Sequence, residues 1–135
     1  MKIKVIDYGY ELLPKRAHGN DAGADIHACE MVKIAPHTTE KIRLGFGLEV
    51  PDGYMACVYP RSGMAAKGIV CELPPIDSGY RGEIHAIVSN LSDHPYIVHK
   101  GDRVGQLVVS PIVIADFVTD LGKERGTGAF GSTGK

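Results

Sequence analysis

The sequence has no tryptophan, only three cysteines and no long apolar run. Its first residues, 1–7, meet charged side chains before any apolar stretch develops, so we expect neither a signal peptide nor a membrane span there. The formal net charge of -1 provides no basic surface of the kind that binds nucleic acid. We therefore expect a cytoplasmic protein, or a host-cytoplasmic one if its source is viral, with neither nucleic acid nor a membrane as partner.

The cysteines and histidines form no metal-ligand pattern. Cys29, Cys57 and Cys71 lie far apart and lack the close pairing that zinc and redox motifs require. The six histidines are scattered, without a spacing such as H-E-x-x-H. We therefore expect buried, reduced thiols and no metal cage built by protein ligands alone.

Apolar residues alternate with small or charged ones along much of the chain. From Ile42 to Val50 every even position is apolar, which is the period-two pattern of a half-buried strand. Further strands are expected over residues 2–6, 24–28, 54–59, 83–89, 96–99, 104–109 and 113–118. Because turn signals separate these strands and 135 residues suit one core, the sequence predicts a single all-β sandwich or barrel.

Two segments do not follow the strand pattern. Residues 63–67 favour a single helical turn, for which the Ser62 hydroxyl is the expected cap. Residues 122–135 hold one large apolar side chain, Phe130, among glycines, hydroxyls and charges, which is too little for a core. We therefore divide the chain into a β core domain, residues 1–121, and a flexible glycine-rich arm, residues 122–135, that would close over a ligand.

Residues 76–83 form the most informative segment, because they place an acid, an aromatic ring and a basic group on one tight turn. Asp-Ser-Gly alone is common turn chemistry, since the Asp side chain can bond its own backbone. With Tyr80 and Arg81 following at once, the same turn is also suited to bind and attack a small phosphorylated ligand. The choice between these interpretations depends on the rest of the chain.

Five segments, taken in order, resemble the five sequence motifs of the homotrimeric dUTP nucleotidohydrolases (dUTPases), and the match spans nearly the whole chain. These segments are residues 21–25, 60–68, 76–83, 101–107 and 125–134. The resemblance implies a distorted jelly-roll β fold, a trimer with active sites at subunit boundaries, and hydrolysis of dUTP to dUMP and pyrophosphate. It also implies Mg²⁺ as cofactor, held by the triphosphate and water.

The resemblance implies a role for each site residue. Asp77 corresponds to the base that activates the attacking water, a role that contributes roughly 10²–10⁴-fold to the rate. Tyr80 corresponds to the ring that lies against the deoxyribose and leaves no room for a 2′-hydroxyl, and Asp25 to the acid that orders Mg²⁺-bound water or a neighbouring arginine. The other substrate-binding positions are Arg61, Ser62, Gly63, Ile76, Gln106, Arg125, Phe130, Gly131, Ser132 and Thr133.

The chain departs from the family pattern between Lys67 and Asp77, where it is shorter than usual. In the family this hairpin recognises uracil largely through backbone groups. Here it contains Pro74 and Pro75, and neither has an N–H to donate. The bonds to uracil would therefore come from other positions or from water.

Two alternative functions stay open. A dCTP deaminase shares the fold and parts of the phosphate site, and it would need a glutamate acid or base beside the ring, for which Glu72 and Glu83 are available. A non-catalytic nucleotide-binding regulatory protein would keep the fold without the reaction. The presence together of Asp77, Tyr80 and Arg61 favours a working enzyme over this second alternative.

Overall fold

The computed structural model describes residues 1–122, which form ten strands and one short helix. The elements are β1 (Lys4–Asp7), β2 (Ala24–His27), β3 (Val32–Ile34), β4 (Thr39–Arg43), β5 (Phe46–Glu49), β6 (Tyr54–Tyr59), α1 (Ser62–Ala65), β7 (Ile69–Glu72), β8 (His85–Asn90), β9 (Tyr96–Val98) and β10 (Arg103–Pro111). Every strand pair is antiparallel. The all-β prediction is confirmed. No helix within residues 1–122 has the length and hydrophobicity of a membrane span.

The strands form four small sheets, in the orders β1-β5, β2-β10-β6, β3-β9 and β4-β8-β7. β10 is the longest strand and the centre of its sheet, pairing with β2 on one side and β6 on the other. Its register places Gln106 opposite Asp25 on β2 and opposite Tyr59 on β6. The pairing with β2 shifts between Arg103 and Gly105, an irregularity of the kind that re-aims side chains beside functional sites.

The core is built from the alternating apolar positions. Ile42, Leu44 and Phe46 are fully buried, and Leu48 and Val50 are nearly so. Each large side chain of this kind stabilises the fold by about 1.5–3 kcal/mol when it leaves water. They pack in one cluster with side chains from the other sheets, including Ile26, Ile34, Val88, Val98 and Val104. The prediction that the even positions of residues 42–50 are buried is therefore confirmed, although Gly45 and Gly47 between them are buried as well.

The prediction of one continuous strand over residues 42–50 is wrong. β4 ends at Arg43 and pairs with β8, whereas β5 begins at Phe46 and pairs with β1. Between them Gly45 has a φ of +78°, in the left-handed region that glycine adopts without strain. The chain changes sheets at this bend, while its even-numbered side chains stay in the same core.

The predicted strand over residues 113–118 is also wrong, because within the described residues no strand follows Pro111. Its side chains stand in solvent: Val113 is 88% and Phe117 97% exposed. Alternating apolar residues form a strand only where a neighbour pairs with the backbone, and this segment has none in the described chain. Conversely, β3 and β7 were not predicted, because a strand of three or four residues is too short to show a period.

The predicted capping of α1 by Ser62 is wrong as well. Arg61 occupies the N-cap position with an extended backbone, and no side chain caps the helix. The Arg61 carbonyl accepts from the Ala65 N–H at 3.1 Å, so Ser62 is already the first helical residue. Ser62 is exposed, and its side chain makes no capping hydrogen bond.

Candidate functional site

Residues from three of the motifs meet in one open groove, which we call the anion cluster. It is lined by Asp25, Arg61, Ser62, Gly63, Arg103, Gly105 and Gln106. The sheet explains this meeting, because Gln106 on β10 faces Asp25 on β2 and Tyr59 at the end of β6. Arg61 follows that end of β6 by two residues. Strand pairing therefore brings together positions as distant in the chain as Asp25 and Gln106.

Hydrogen bonds fix the charged side chains of the anion cluster. The Arg103 guanidinium donates through Nη1 to Oδ2 of Asp25 at 3.2 Å. Arg61 donates through Nη1 to the backbone carbonyl of Arg103 at 3.1 Å. Each guanidinium keeps further N–H donors, and the Ser62 hydroxyl lies on the same groove. Two guanidinium groups, a hydroxyl and the Gln106 amide are suited to phosphate oxygens.

Two glycines allow the close approach of strands at this cluster. A Cβ on Gly23 would lie 2.8 Å from Cβ and 2.9 Å from Cγ of Gln106. A Cβ on Gly105 would lie 2.6 Å from the carbonyl oxygen of Tyr59. A Cβ on Gly23 would collide with Cβ and Cγ of Gln106, and a Cβ on Gly105 would collide with the backbone of Tyr59. These positions therefore set where Gln106 and the end of β6 lie.

The second candidate region is the acid turn, residues 77–83. The Tyr80 N–H donates to the Asp77 carbonyl at 3.1 Å and closes a four-residue turn. Arg81 donates to the Ser78 carbonyl at 2.9 Å, and the Ser78 hydroxyl donates to Asp52 at 3.0 Å. Within residues 1–122 the Asp77 carboxylate accepts no hydrogen bond, and Asp77 is exposed. The turn is thus closed by backbone, and the carboxylate is left for a ligand or water.

Tyr80 and Ile76 line a groove beside this turn, together with Val58, Pro74 and Ile84. The Ile76 N–H donates to Ala56 at 2.7 Å, and its carbonyl accepts from the Ala56 N–H at 3.1 Å. The Ile76 N–H is therefore already used, while its side chain and the second lone pair of its carbonyl are left to contact a ligand. Asp77 does not line this groove but lies in a neighbouring depression with Asp52, Tyr54 and Ile112.

Within residues 1–122 the two regions line separate depressions. None of the described residues that line the anion cluster also lines either of the two depressions at the acid turn. Asp25, Arg61, Ser62, Gly63 and Gln106 share the first, while Ile76, Asp77 and Tyr80 belong to the second. Arg125, Phe130, Gly131, Ser132 and Thr133 lie outside the described residues. Within residues 1–122 the predicted site residues thus line separate depressions, and their roles stay predictions.

Sequence reasoning missed an ion pair that supports the acid turn. Arg43 donates to the Glu83 carboxylate through Nε at 3.2 Å and Nη2 at 3.1 Å, and the Gly45 N–H donates to it at 3.0 Å. Burial by itself would raise the pKa of the Glu83 carboxyl, but these bonds hold it below its usual value. The same pairing raises the pKa of Arg43. Because the partners are 40 residues apart, no local spacing reveals them.

The three cysteines are free thiols, as predicted, with Cys29 and Cys57 buried and Cys71 partly so. Burial raises the pKa of the Cys71 thiol to about 11 and also raises the pKa of the other two. A thiol of this kind stays protonated at neutral pH and is a poor nucleophile. The cysteines therefore contribute packing and no reactive group.

The strand arrangement and the anion cluster define an all-β protein with a surface suited to a phosphorylated ligand. The sequence model of the dUTPase family matches residues 10–134. The chain therefore belongs to the dUTPase family. The prediction of this family and of its enzyme class is confirmed.

Curated relatives agree with the family match. The chain is 44% identical over 131 residues to a deoxyuridine 5′-triphosphate nucleotidohydrolase of Picosynechococcus, with 91% of each chain covered. It is 46% identical to the enzyme of the same name from Gloeobacter violaceus, covering 90% of this chain and 88% of that one. The relative from Corynebacterium glutamicum is 42% identical, with 98% and 95% covered.

Solved structures share the fold. The dUTPase of phage phi11 of S. aureus superposes with a TM-score of 0.85 at 24% identity, covering 93% of this chain and 99% of that one. A variant of the Staphylococcus phage 80alpha dUTPase, solved with dUpNHpp, gives a TM-score of 0.84 at 27% identity with 98% of both chains covered. The predicted distorted jelly-roll fold is confirmed by this likeness.

Proposed function

We propose that the chain hydrolyses dUTP to dUMP and pyrophosphate as a homotrimer, in which the anion cluster of one chain meets the acid turn of a neighbour. The relatives named above as deoxyuridine 5′-triphosphate nucleotidohydrolases support the reaction. The observation that best supports a shared site is that, within residues 1–122, the anion cluster and the acid turn line separate depressions. A second chain would supply the missing half to each.

The exposed segment that follows β10 supports assembly. Its apolar side chains are largely in solvent: Val113 is 88%, Ile114 75%, Phe117 97% and Leu121 88% exposed. Apolar surface grouped in this way is typical of a face that another chain covers. A homotrimer would bury this segment and would join the two half sites in the same step.

Asp77 acts as the general base in this proposal. Its carboxylate accepts a proton from water, and the water oxygen attacks the α-phosphorus as the bond to the bridging oxygen of the β-phosphate breaks. The leaving group is pyrophosphate. The exposed carboxylate, with no hydrogen bond from residues 1–122, is free to accept this proton.

In this proposal the anion cluster binds the phosphate oxygens and neutralises part of their negative charge. Arg61, Ser62 and Gln106 would donate to the triphosphate, since all three lie on the same groove. Asp25 would hold Arg103 in place through the 3.2 Å contact. In this proposal Arg125, Ser132 and Thr133 of the arm complete the clamp on the γ-phosphate, while Phe130 stacks on uracil beside Gly131.

Magnesium is the cofactor in this proposal. Within residues 1–122 there is no group of three or more histidine, cysteine, aspartate or glutamate side chains placed to hold a metal ion. Mg²⁺ would therefore be held by the triphosphate and water, with Asp25 as the carboxylate available to a bound water. When bound, it would neutralise charge on the phosphate oxygens. One phage phi11 dUTPase structure describes a structural Mg(II) ion in that protein.

Tyr80 and its groove select the nucleoside. The Tyr80 ring would lie against the deoxyribose, where a 2′-hydroxyl would collide with it. Uracil recognition draws no N–H bond from Ile76, because that N–H already donates to the Ala56 carbonyl. The bonds to the base are therefore assigned to other residues of the hairpin, to water or to the arm.

Neither alternative is favoured. The Glu83 carboxylate is already bound by Arg43 and the Gly45 N–H, so it is not free to serve a deaminase as acid or base. Glu72 lines the Tyr80 groove, but the family match is to dUTPases and the curated relatives named above are nucleotidohydrolases. A purely regulatory protein has no need of an unbonded Asp77 beside Tyr80. Cytoplasmic location stays a prediction.

The test is to incubate the protein with Mg²⁺ and, separately, dUTP, dCTP, dTTP and UTP, following pyrophosphate and nucleotide identity. We expect pyrophosphate from dUTP alone, and a loss of roughly 10²–10⁴-fold in Asp77→Asn. Asp93→Asn is the matched control, because Asp93 is exposed and, within residues 1–122, its carboxylate pairs with His37 alone, away from both candidate regions. Loss of the amine from dCTP would establish the deaminase instead, and no turnover of any nucleotide would contradict the proposed enzyme and favour the non-catalytic alternative.

A further inference from the structure

The Tyr80 ring lies directly against the backbone of Gly82. Its hydroxyl donates to the Glu83 carbonyl at 2.8 Å. A Cβ on Gly82 would lie 2.6 Å from the Tyr80 hydroxyl oxygen, 2.7 Å from Cζ and 3.1 Å from Cε1. The ring can occupy this position only because residue 82 has no side chain.

Contacts from neighbouring elements hold the backbone of residues 81–83, on which the Tyr80 ring lies. A Cβ on Gly47 of β5 would lie 2.8 Å from the Gly82 carbonyl oxygen, so β5 and the acid turn are in close contact there. The Tyr8 hydroxyl donates to the Arg81 carbonyl at 2.9 Å. Arg43 and the Gly45 N–H bind the Glu83 carboxylate. The turn is therefore held on both sides of Gly82.

We infer that Gly82 is a specificity-determining position, which selects deoxyribose over ribose by fixing the place of the Tyr80 ring. This inference rests on the proposed function, in which Tyr80 excludes the 2′-hydroxyl. A steric filter of this kind needs the ring to be held at a fixed distance, since an open apolar pocket rejects an added hydroxyl poorly. Gly82 supplies that distance by letting the ring lie on the backbone.

A methyl group at position 82 would move the ring rather than the turn. The atoms that it meets are the far end of the Tyr80 side chain, which is 46% exposed and has solvent to move into. Gly82 is not among the residues with positive φ, so alanine fits its backbone without strain. The displaced ring would also lose its bond to the Glu83 carbonyl. Gly82→Ala should therefore fold and yet select the sugar poorly.

The experiment measures kcat/KM for dUTP and for UTP in the full-length protein and in Gly82→Ala. Gly79→Ala is the matched control, since it lies on the same turn and a Cβ there meets nothing within 4 Å. We expect the dUTP-to-UTP ratio to fall about tenfold in Gly82→Ala and to stay unchanged in the control. Tyr80→Phe, which keeps the ring and removes only the hydroxyl, should lower the ratio by a smaller factor in the same direction.

Several outcomes would overturn the inference. A Gly82→Ala ratio that matches that of Gly79→Ala, or exceeds that of the unaltered protein, would show that residue 82 does not set selectivity. If Gly82→Ala does not fold, an unchanged ratio in Tyr80→Phe would do the same. Failure of the unaltered protein to hydrolyse dUTP would instead contradict the proposed function, so the two failures are distinguishable.

Discussion

Glu83→Gln should destabilise the fold at neutral pH, because it removes the negative charge to which the Arg43 guanidinium and the Gly45 N–H both donate. The carboxylate accepts four contacts, two at 3.2 Å, one at 3.1 Å and one at 3.0 Å. Hydrogen bonds to charged groups contribute about 1.5–3 kcal/mol, but water screens a pair whose arginine is 37% exposed. We therefore expect the free energy of unfolding to fall by about 1–2 kcal/mol at pH 7.

The effect should depend on pH in one direction. The pKa of Glu83 is lowered in the folded protein from its ordinary value of 4.5. A lowered carboxyl pKa gives stability that is fully present above the unfolded value and is lost as the pH falls through the folded value. The difference between the unaltered protein and Glu83→Gln should therefore be constant from about pH 6 to 8 and should shrink below the ordinary pKa of a glutamate.

Urea unfolding from pH 3 to 8 at one fixed protein concentration measures this difference, since assembly makes stability depend on concentration. Glu72→Gln is the matched control, because Glu72 is exposed, and its effect should stay within about 0.5 kcal/mol. A difference at pH 7 no larger than that of the control would refute the reasoning. So would a difference that grows as the pH falls.

Three further outcomes follow from the described residues. Gly23→Ala should push Gln106 out of the anion cluster and raise KM for dUTP about tenfold, at a stability cost of about 1–3 kcal/mol, whereas Gly19→Ala should do neither in steady-state assays. Asn90→Ala should lower the free energy of unfolding by about 3 kcal/mol in urea titrations, because this fully buried amide makes four hydrogen bonds. Phe117→Ser should weaken assembly in analytical ultracentrifugation, since the 97% exposed ring is proposed to be covered there.

The sequence predicted what depends on local period and turn chemistry. The even positions from Ile42 to Val50 alternate, and all of them are buried. Tyr54–Tyr59 was predicted with the bounds that the structure has. Where the chain changes sheets at Gly45, the pattern stays regular while the pairing changes, so periodicity could not show the break.

The candidate site residues could be predicted from the sequence where a motif contains them. They could not be predicted where a residue's role depends on a partner that is distant in the chain. Asp77, Tyr80 and Arg61 were identified from motifs, although their roles stay predictions. Arg103 and Arg43 were assigned no role, because their acidic partners lie 78 and 40 residues away. The separation of the anion cluster from the acid turn depends on the packing of whole sheets, which no spacing along the chain encodes.

The most direct test of the shared site is to mix two inactive variants, Asp77→Asn and Arg61→Ala, after partial denaturation and refolding together. Each variant alone should release almost no pyrophosphate from dUTP. If each site takes its acid turn and its anion cluster from different chains, random assembly from an equal mixture should restore about a quarter of all sites. Recovery of that activity is the predicted result. No recovery, with mixed trimers demonstrated by native mass spectrometry, would contradict the account.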